Sequence, residues 1–195
     1  MVGVVLAGGL GSRMADRGPS KPAVLLAGRP LIGWPLRALG AVCPRVAVVC
    51  KLDTHLPSLP DGVLRWNEPD EPRHPLTGIL FALERAQADV LVCAADMPFI
   101  DTGALRTLVA GAGAASGALA VVAESDGRLE PALAVYRQGA LRRLGEAARD
   151  APLTRTVEGL QPARVSLAAE VVRSVNTLAE LAAAERILSD AAAGR

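Results

Sequence analysis

Short, β-branched apolar runs alternate along this chain with segments of helical periodicity, and that alternation limits the fold more than any other feature. Val2 to Leu6, Val46 to Cys50 and Val90 to Ala95 are continuous apolar runs. Such runs are what strands buried on both faces require. Between them, Leu31 to Val42 reads as helical, and Leu76, Ile79, Leu80 and Leu83 recur at i, i+3, i+4 and i+7 on one face of a second helix. The pattern predicts βαβ units: an α/β fold with a mostly parallel sheet and helices on both faces. A length of 195 residues fits one domain spanning 1–195.

Further along, Asp101-Thr102 can cap a helix through Leu105 and Leu108 that ends in the small-residue tract Ala110 to Gly117. Leu119 to Ala123 and Ala132 to Tyr136 are strand candidates separated by the turn Ser125-Asp126-Gly127, forming a hairpin or an edge unit. Leu141 to Ala148 and Leu153 to Leu160 look helical, and Ala163 to Leu167 and Val171 to Val175 look like short strands. The last helix opens on Thr177-Leu178-Ala179-Glu180, a capping box. The proline-rich stretch 53–75, with a short strand at Val63 to Trp66, reads as a loop region beside the functional site.

The chemistry concentrates at the end of the first strand. Leu6-Ala7-Gly8-Gly9-Leu10-Gly11-Ser12-Arg13 breaks an apolar run into three glycines followed by a cation, with Lys21 next. Only glycine lets backbone N–H groups close tightly around an anion, so the loop suits a phosphate cradle, although a plain tight turn has the same composition. It lacks the Gly-Lys-Ser/Thr ending of a Walker loop and the third glycine of a dinucleotide fingerprint. Arg13 and Lys21 can neutralise phosphate charge and a leaving pyrophosphate, or be solvated loop charges. Asp96 ends a buried strand, where open α/β sheets place ligand groups, and is either a Mg²⁺ ligand or a turn aspartate.

The balance of charges excludes other classes. A net charge of +1 gives no polybasic surface for nucleic acid, and no apolar run approaches a bilayer's thickness. Cys43, Cys50 and Cys93 are odd in number and show no Cys-x-x-Cys spacing, so they read as buried residues of a reducing cytoplasm. His55 and His74 are too scattered for a metal set.

Taken together, Leu6-Ala7-Gly8-Gly9 with Ser12-Arg13-Met14 and Lys21, Gly28-Arg29-Pro30-Leu31, Pro75-Leu76-Thr77-Gly78, Asp96-Met97-Pro98-Phe99, Glu130-Pro131 and Val175-Asn176-Thr177 resemble the molybdenum cofactor guanylyltransferases. These belong to the MobA-like nucleotidyltransferases. The resemblance implies a single Rossmann-like three-layer domain that binds GTP and Mg²⁺, in which the terminal phosphate of a molybdopterin cofactor attacks the α-phosphate and displaces pyrophosphate. It places Leu6, Ala7, Gly8, Gly9 and Gly11 at the nucleotide, Arg13 and Lys21 at its phosphates, and Asp96 at the magnesium. Gly78, Arg155 and Asn176 fall toward the acceptor. It also implies transient contact with molybdoenzymes or other cofactor-biosynthesis proteins. Gly8 favours guanine, because cytidylyl relatives carry alanine there and its methyl would crowd a purine.

Three positions depart from the family pattern. Cys50-Lys51-Leu52-Asp53 stands where an asparagine is usual, His74 replaces a glycine, and the aspartate before the Pro-Leu-x-Gly turn becomes Asn67 or Glu68, with Asn67 taken as the nucleotide-binding candidate. A cytidylyltransferase, another small-phosphate nucleotidyltransferase, or a non-catalytic nucleotide-binding relative are the alternatives on the same fold.

Overall fold

The computed structural model describes residues 1–9, 20–148 and 151–193. Its strands are β1 (Val2–Leu6), β2 (Leu25–Leu26), β3 (Arg29–Pro30), β4 (Val46–Cys50), β5 (Val63–Asn67), β6 (Val90–Ala94), β7 (Ala120–Ser125), β8 (Arg128–Tyr136) and β9 (Ala163–Ser166). Its helices are α1 (Gly33–Gly40), α2 (Pro75–Ala86), α3 (Thr102–Ala114), α4 (Ala140–Gly145), α5 (Leu153–Glu158) and α6 (Leu178–Ala193).

Seven strands form one sheet in the order β5-β4-β1-β6-β8-β7-β9, while β2 and β3 make a separate small hairpin. Strands β5, β4, β1 and β6 are parallel, β8 alone runs against its two neighbours, and β9 lies parallel to β7. The expected α/β class, mostly parallel with helices on both faces, is what the chain adopts.

Alternation of side chains across the strands builds the three layers. Val5, Val48, Leu91 and Cys93 face one core with Leu36 and Leu39 of α1 and Leu105 and Leu108 of α3. Val4, Val49, Val90 and Val92 face the other core with Leu76, Ile79 and Leu83 of α2, Leu144 of α4 and Val157 of α5. A third, smaller cluster, Leu26, Leu31, Val175 and Ala184, seats α6 against the β2–β3 hairpin.

Several local expectations hold. Asp101 caps α3 by accepting from Ala104 N at 2.8 Å, and Thr177 and Glu180 form both halves of the capping box, at 3.2 and 2.9 Å. The turn at Asp126-Gly127 has both residues at positive φ, 50° and 73°, which joins β7 to β8 as a hairpin. That hairpin is flanked by β6 and β9, so it is an interior unit and no edge.

One segment differs. Val171 to Val175 is no strand and runs as a turn and irregular segment outside the sheet. Instead, Val175 is buried in the third cluster and its N–H donates to the carbonyl of Asp96 at 2.8 Å. The segment thereby brings its neighbour Asn176 to the sheet's C-terminal edge.

Candidate active site

The parallel strands end along one edge, and the ladder continues a residue beyond them. Ala7 N donates to Val49 O (2.8 Å), Ala95 N to Leu6 O (3.0 Å) and Glu68 N to Cys50 O (2.9 Å). These bonds hold the post-strand segments side by side over a cleft of about 410 Å³. Its lining includes Leu6, Ala7, Gly8, Gly9, Lys21, Glu68, Arg73, Gly78, Asp96 and Asn176. An open α/β sheet presents its ligand groups at this edge.

On one side of the cleft sits a cation between two oxygens. Lys21 Nζ donates to Asp96 Oδ2 at 2.5 Å and to Asn176 Oδ1 at 2.7 Å, with both carboxylate and ammonium partly open to solvent. Lys21 opens a one-turn 3-10 helix, Lys21–Ala23, that leads into the β2–β3 hairpin. Asp96 follows β6, and Asn176 is tied down by its own N–H donating to Glu180 Oε2 at 2.6 Å. Those two backbone N–H bonds, from Asn176 and Thr177, hold the Glu180 carboxyl below the usual range.

The donor set fits a hard divalent ion. A carboxylate oxygen and an amide oxygen already converge on one positive centre, and the remaining positions are ones that waters and phosphate oxygens fill around Mg²⁺. Among the described residues there is no group of three or more His, Cys, Asp and Glu side chains able to hold a metal. Any ion here therefore depends on the substrate for much of its coordination.

On the other side lies a buried carboxylate. Glu68 follows β5 and its side chain is 4% exposed, against 1% for Lys51, whose Nζ lies 3.4 Å from Glu68 Oε1. Among the described residues Glu68 Oε2 has no hydrogen-bond partner. A Cβ on Gly8 would collide with Glu68 Oε1, and one on Gly78 would stand 3.1 Å from Oε2 and 3.0 Å from Leu6 Cδ2. Both glycines thus make room for this carboxylate, a reason beyond the crowding of a purine. Burial pushes the Glu68 carboxyl up, and Lys51 followed by Arg73 pulls it partly back.

The structure gathers Leu6, Ala7, Gly8, Gly9, Lys21, Gly78, Asp96 and Asn176 around the cleft. It leaves out two candidates. Asn67 is exposed, with Oδ1 turned to Arg65 Nε at 3.0 Å, because a parallel strand sends successive side chains to opposite sides and Glu68 takes the inward one. Arg155 is exposed on α5, outside the lining. Gly11 and Arg13 lie outside the described residues.

Three residues in or beside the cleft had been given no role by the sequence. Arg73 lines the cleft and pairs with Asp53 at 2.6 Å, which holds the aspartate low. His74 caps α2, its Nδ1 accepting from Leu76 N at 3.2 Å. Lys51 is an ionisable group placed directly after an all-apolar strand, and that position was its signal.

With this geometry in place the family can be fixed: the model of the MobA-like NTP transferase domain matches residues 3–185. The chain belongs to that family. It is a nucleotidyltransferase, and the alternative of a non-catalytic relative falls away. A molybdenum cofactor guanylyltransferase of Cereibacter sphaeroides is 37% identical over 142 residues, covering 70% of this chain and 68% of that protein. The crystal structure of molybdopterin-guanine dinucleotide biosynthesis protein A from Archaeoglobus fulgidus superposes with a TM-score of 0.71 at 26% identity, covering 97% of this chain and all of the other. The 2-C-methyl-D-erythritol 4-phosphate cytidylyltransferase of Thermus thermophilus, at 21% identity and a TM-score of 0.66 over 96% of this chain and 98% of its own, shares the fold.

Proposed function

We propose that this nucleotidyltransferase moves GMP from GTP to the terminal phosphate of a molybdopterin cofactor and releases pyrophosphate. One observation carries the reading. A phosphate-side cation, Lys21, and an acceptor carboxylate, Glu68, face each other across the same cleft, with the glycine turn of Gly8-Gly9 beside them. Ionised Glu68 is the group that would accept from guanine N1–H and the N2 amino group. Neither cytosine nor uracil offers that pair of adjacent donors on a purine-sized edge.

Balanced in atoms, an oxygen of the acceptor's phosphate monoester forms a bond to the α-phosphorus as the bond to the β-phosphate oxygen breaks. Positioning and charge neutralisation supply most of such a barrier lowering, so no covalent nucleophile on the protein is required. Lys21 would turn from Asp96 to the triphosphate, and Asp96 and Asn176 would then hold Mg²⁺. The ion, when bound, supplies charge neutralisation at the phosphate oxygens. Asn176 and Gly78 border the acceptor side in this reading, and Gly8 and Gly9 offer backbone N–H groups to the nucleotide. Arg13 and Gly11 would serve the nucleotide's phosphates in this reading.

Residues 1–195 act as one domain in this scheme. Its three cysteines, buried and unpaired, suit a cytoplasmic protein, and the product's use requires hand-over to a molybdoenzyme or another cofactor-biosynthesis protein. Among the described residues no helix is long and apolar enough to cross a membrane.

The test is a titration of the four nucleoside triphosphates read by thermal shift, followed by turnover with molybdopterin and Mg²⁺. GTP should stabilise the protein most, and both dinucleotide and pyrophosphate should form only with the metal present. Stabilisation by CTP and indifference to GTP would overturn the guanine reading and leave the cytidylyl alternative.

A further inference from the structure

Lys51 is wholly buried, yet it does not line the cleft. Its ammonium donates to Pro69 O at 2.5 Å and Pro72 O at 3.2 Å, and faces Glu68 Oε1 at 3.4 Å. An ammonium has three N–H groups and three acceptors surround it, so none remains for a ligand. A lysine with every donor committed inside the protein cannot read a nucleotide directly. It can act only through what it holds.

What it holds is the base side of the cleft. The carbonyls of Pro69 and Pro72 belong to a segment whose prolines have no N–H of their own to donate, and Lys51 supplies a donor to each. Pro72 O also accepts from Thr77 Oγ1 (3.1 Å) and His74 N (2.9 Å), which ties the start of α2 to the same point. Lys51 extends β4 and Glu68 extends β5, neighbours in the sheet with Cys50 paired to Asn67. The lysine therefore fixes the Glu68 carboxylate from behind, while its other oxygen, Oε2, is buried beside Gly78 with no partner among the described residues.

We infer that Lys51 is a positioning residue for base selection: by holding the carboxylate of Glu68 between Gly8 and Gly78, it makes this site demand a base with a donor edge. The inference rests on the guanine reading above and adds to it the residue that enforces it. A buried ion pair is a poor source of stability, because desolvation offsets most of the attraction. Its retention next to an unfilled acceptor fits a role in discrimination.

The experiment compares dissociation constants of GTP and ITP, which lacks only the N2 amino group, for the full chain with Mg²⁺. Wild type should prefer GTP by about tenfold, the size of one hydrogen bond to a charged acceptor. Glu68→Gln should bring the two nucleotides within about twofold. Lys51→Met should do the same, with a smaller loss for ITP than for GTP, since ITP keeps only the N1–H donor to Glu68 and the triphosphate contacts are elsewhere. A merely structural lysine would weaken both nucleotides in parallel. If the methionine variant does not fold, Lys51→Gln, which keeps two N–H groups for the proline carbonyls, takes its place. An unchanged GTP preference in the Lys51 variant alongside a flattened one in Glu68→Gln overturns the role of Lys51 alone. No effect of Glu68→Gln, or no GTP preference in wild type, overturns the guanine reading itself.

Discussion

Lys21 and Asp96 stand 75 residues apart in sequence, and Nζ of the first lies 2.5 Å from Oδ2 of the second. In the proposed reading a metal ion would replace the lysine beside Asp96, so the same carboxylate would serve the resting protein and the loaded site in turn. A part-buried pair that still reaches solvent stabilises the fold by about 1 kcal/mol. Asp96→Ala should consequently leave the thermal midpoint within a few degrees while turnover falls by about 10²-fold or more. Full activity in that variant would remove Asp96 from the metal site.

Gly8 and Glu68 form a second coupled pair. Since a methyl at position 8 would meet Glu68 Oε1, Gly8→Ala has to displace a buried carboxylate that Lys51 also holds. The expected loss is about 1–3 kcal/mol of stability, the ordinary cost of overpacking, together with a weakened preference for GTP. Adding Glu68→Ala to Gly8→Ala should restore part of the lost stability. Chemical denaturation of the two single variants and the double gives the coupling energy directly, and simple additivity would mean that the two side chains do not compete for this space.

The pH dependence follows from the same carboxyl. Burial raises Glu68 above its ordinary 4.5, with Lys51 and then Arg73 opposing the shift. A carboxyl raised in the folded state binds its proton more tightly there than in the unfolded chain. Between 4.5 and the raised value, rising pH therefore lowers fold stability, while it ionises the group proposed to accept from guanine. GTP affinity should fall as pH drops through that raised value, and ITP affinity should fall less. Binding isotherms measured from neutral pH downward check this. Parallel losses for the two nucleotides would assign the effect to the phosphate side instead.

Much of this was legible in the residues themselves. The runs Val2–Leu6, Val46–Cys50 and Val90–Ala94 are strands because nothing polar interrupts them, and the period at Leu76, Ile79 and Leu83 made α2 plain. Glycine, lysine and aspartate at strand ends marked the Lys21–Asp96 side of the cleft. The Glu68 side was not legible, because it depends on pairing across strands. Whether Asn67 or Glu68 points inward is a matter of one residue of pleat, and a shift of one residue exchanges the faces. Lys51 and Glu68 meet only because β4 and β5 run parallel in a register that puts Cys50 opposite Asn67. Val175 failed as a strand for a similar non-local reason, since its backbone is claimed by the carbonyl of Asp96.

That contact points to a device at the start of α6. Glu180 accepts from the N–H groups of both Asn176 and Thr177, at 2.6 and 2.9 Å, so the capping box also fixes the loop that presents Asn176 to Lys21. Removing the carboxylate leaves two N–H groups to water and frees the loop. Glu180→Ala should cost about 1 kcal/mol of cap energy, a shift of about 2–4 °C in the thermal midpoint, and lower kcat/KM several-fold through misplacement of Asn176. Thr177→Ala removes the other half of the box, the Thr177 Oγ1 bond from Glu180 N at 3.2 Å, without touching the N–H of Asn176. It should match Glu180→Ala in melting and exceed it in activity. Because the bonds to Asn176 and Thr177 hold the Glu180 carboxyl below 4.5, their contribution is complete above that pH and lost as pH falls through the lowered value. Equal activity losses in the two variants would show that the box supports α6 alone and has no part in placing Asn176.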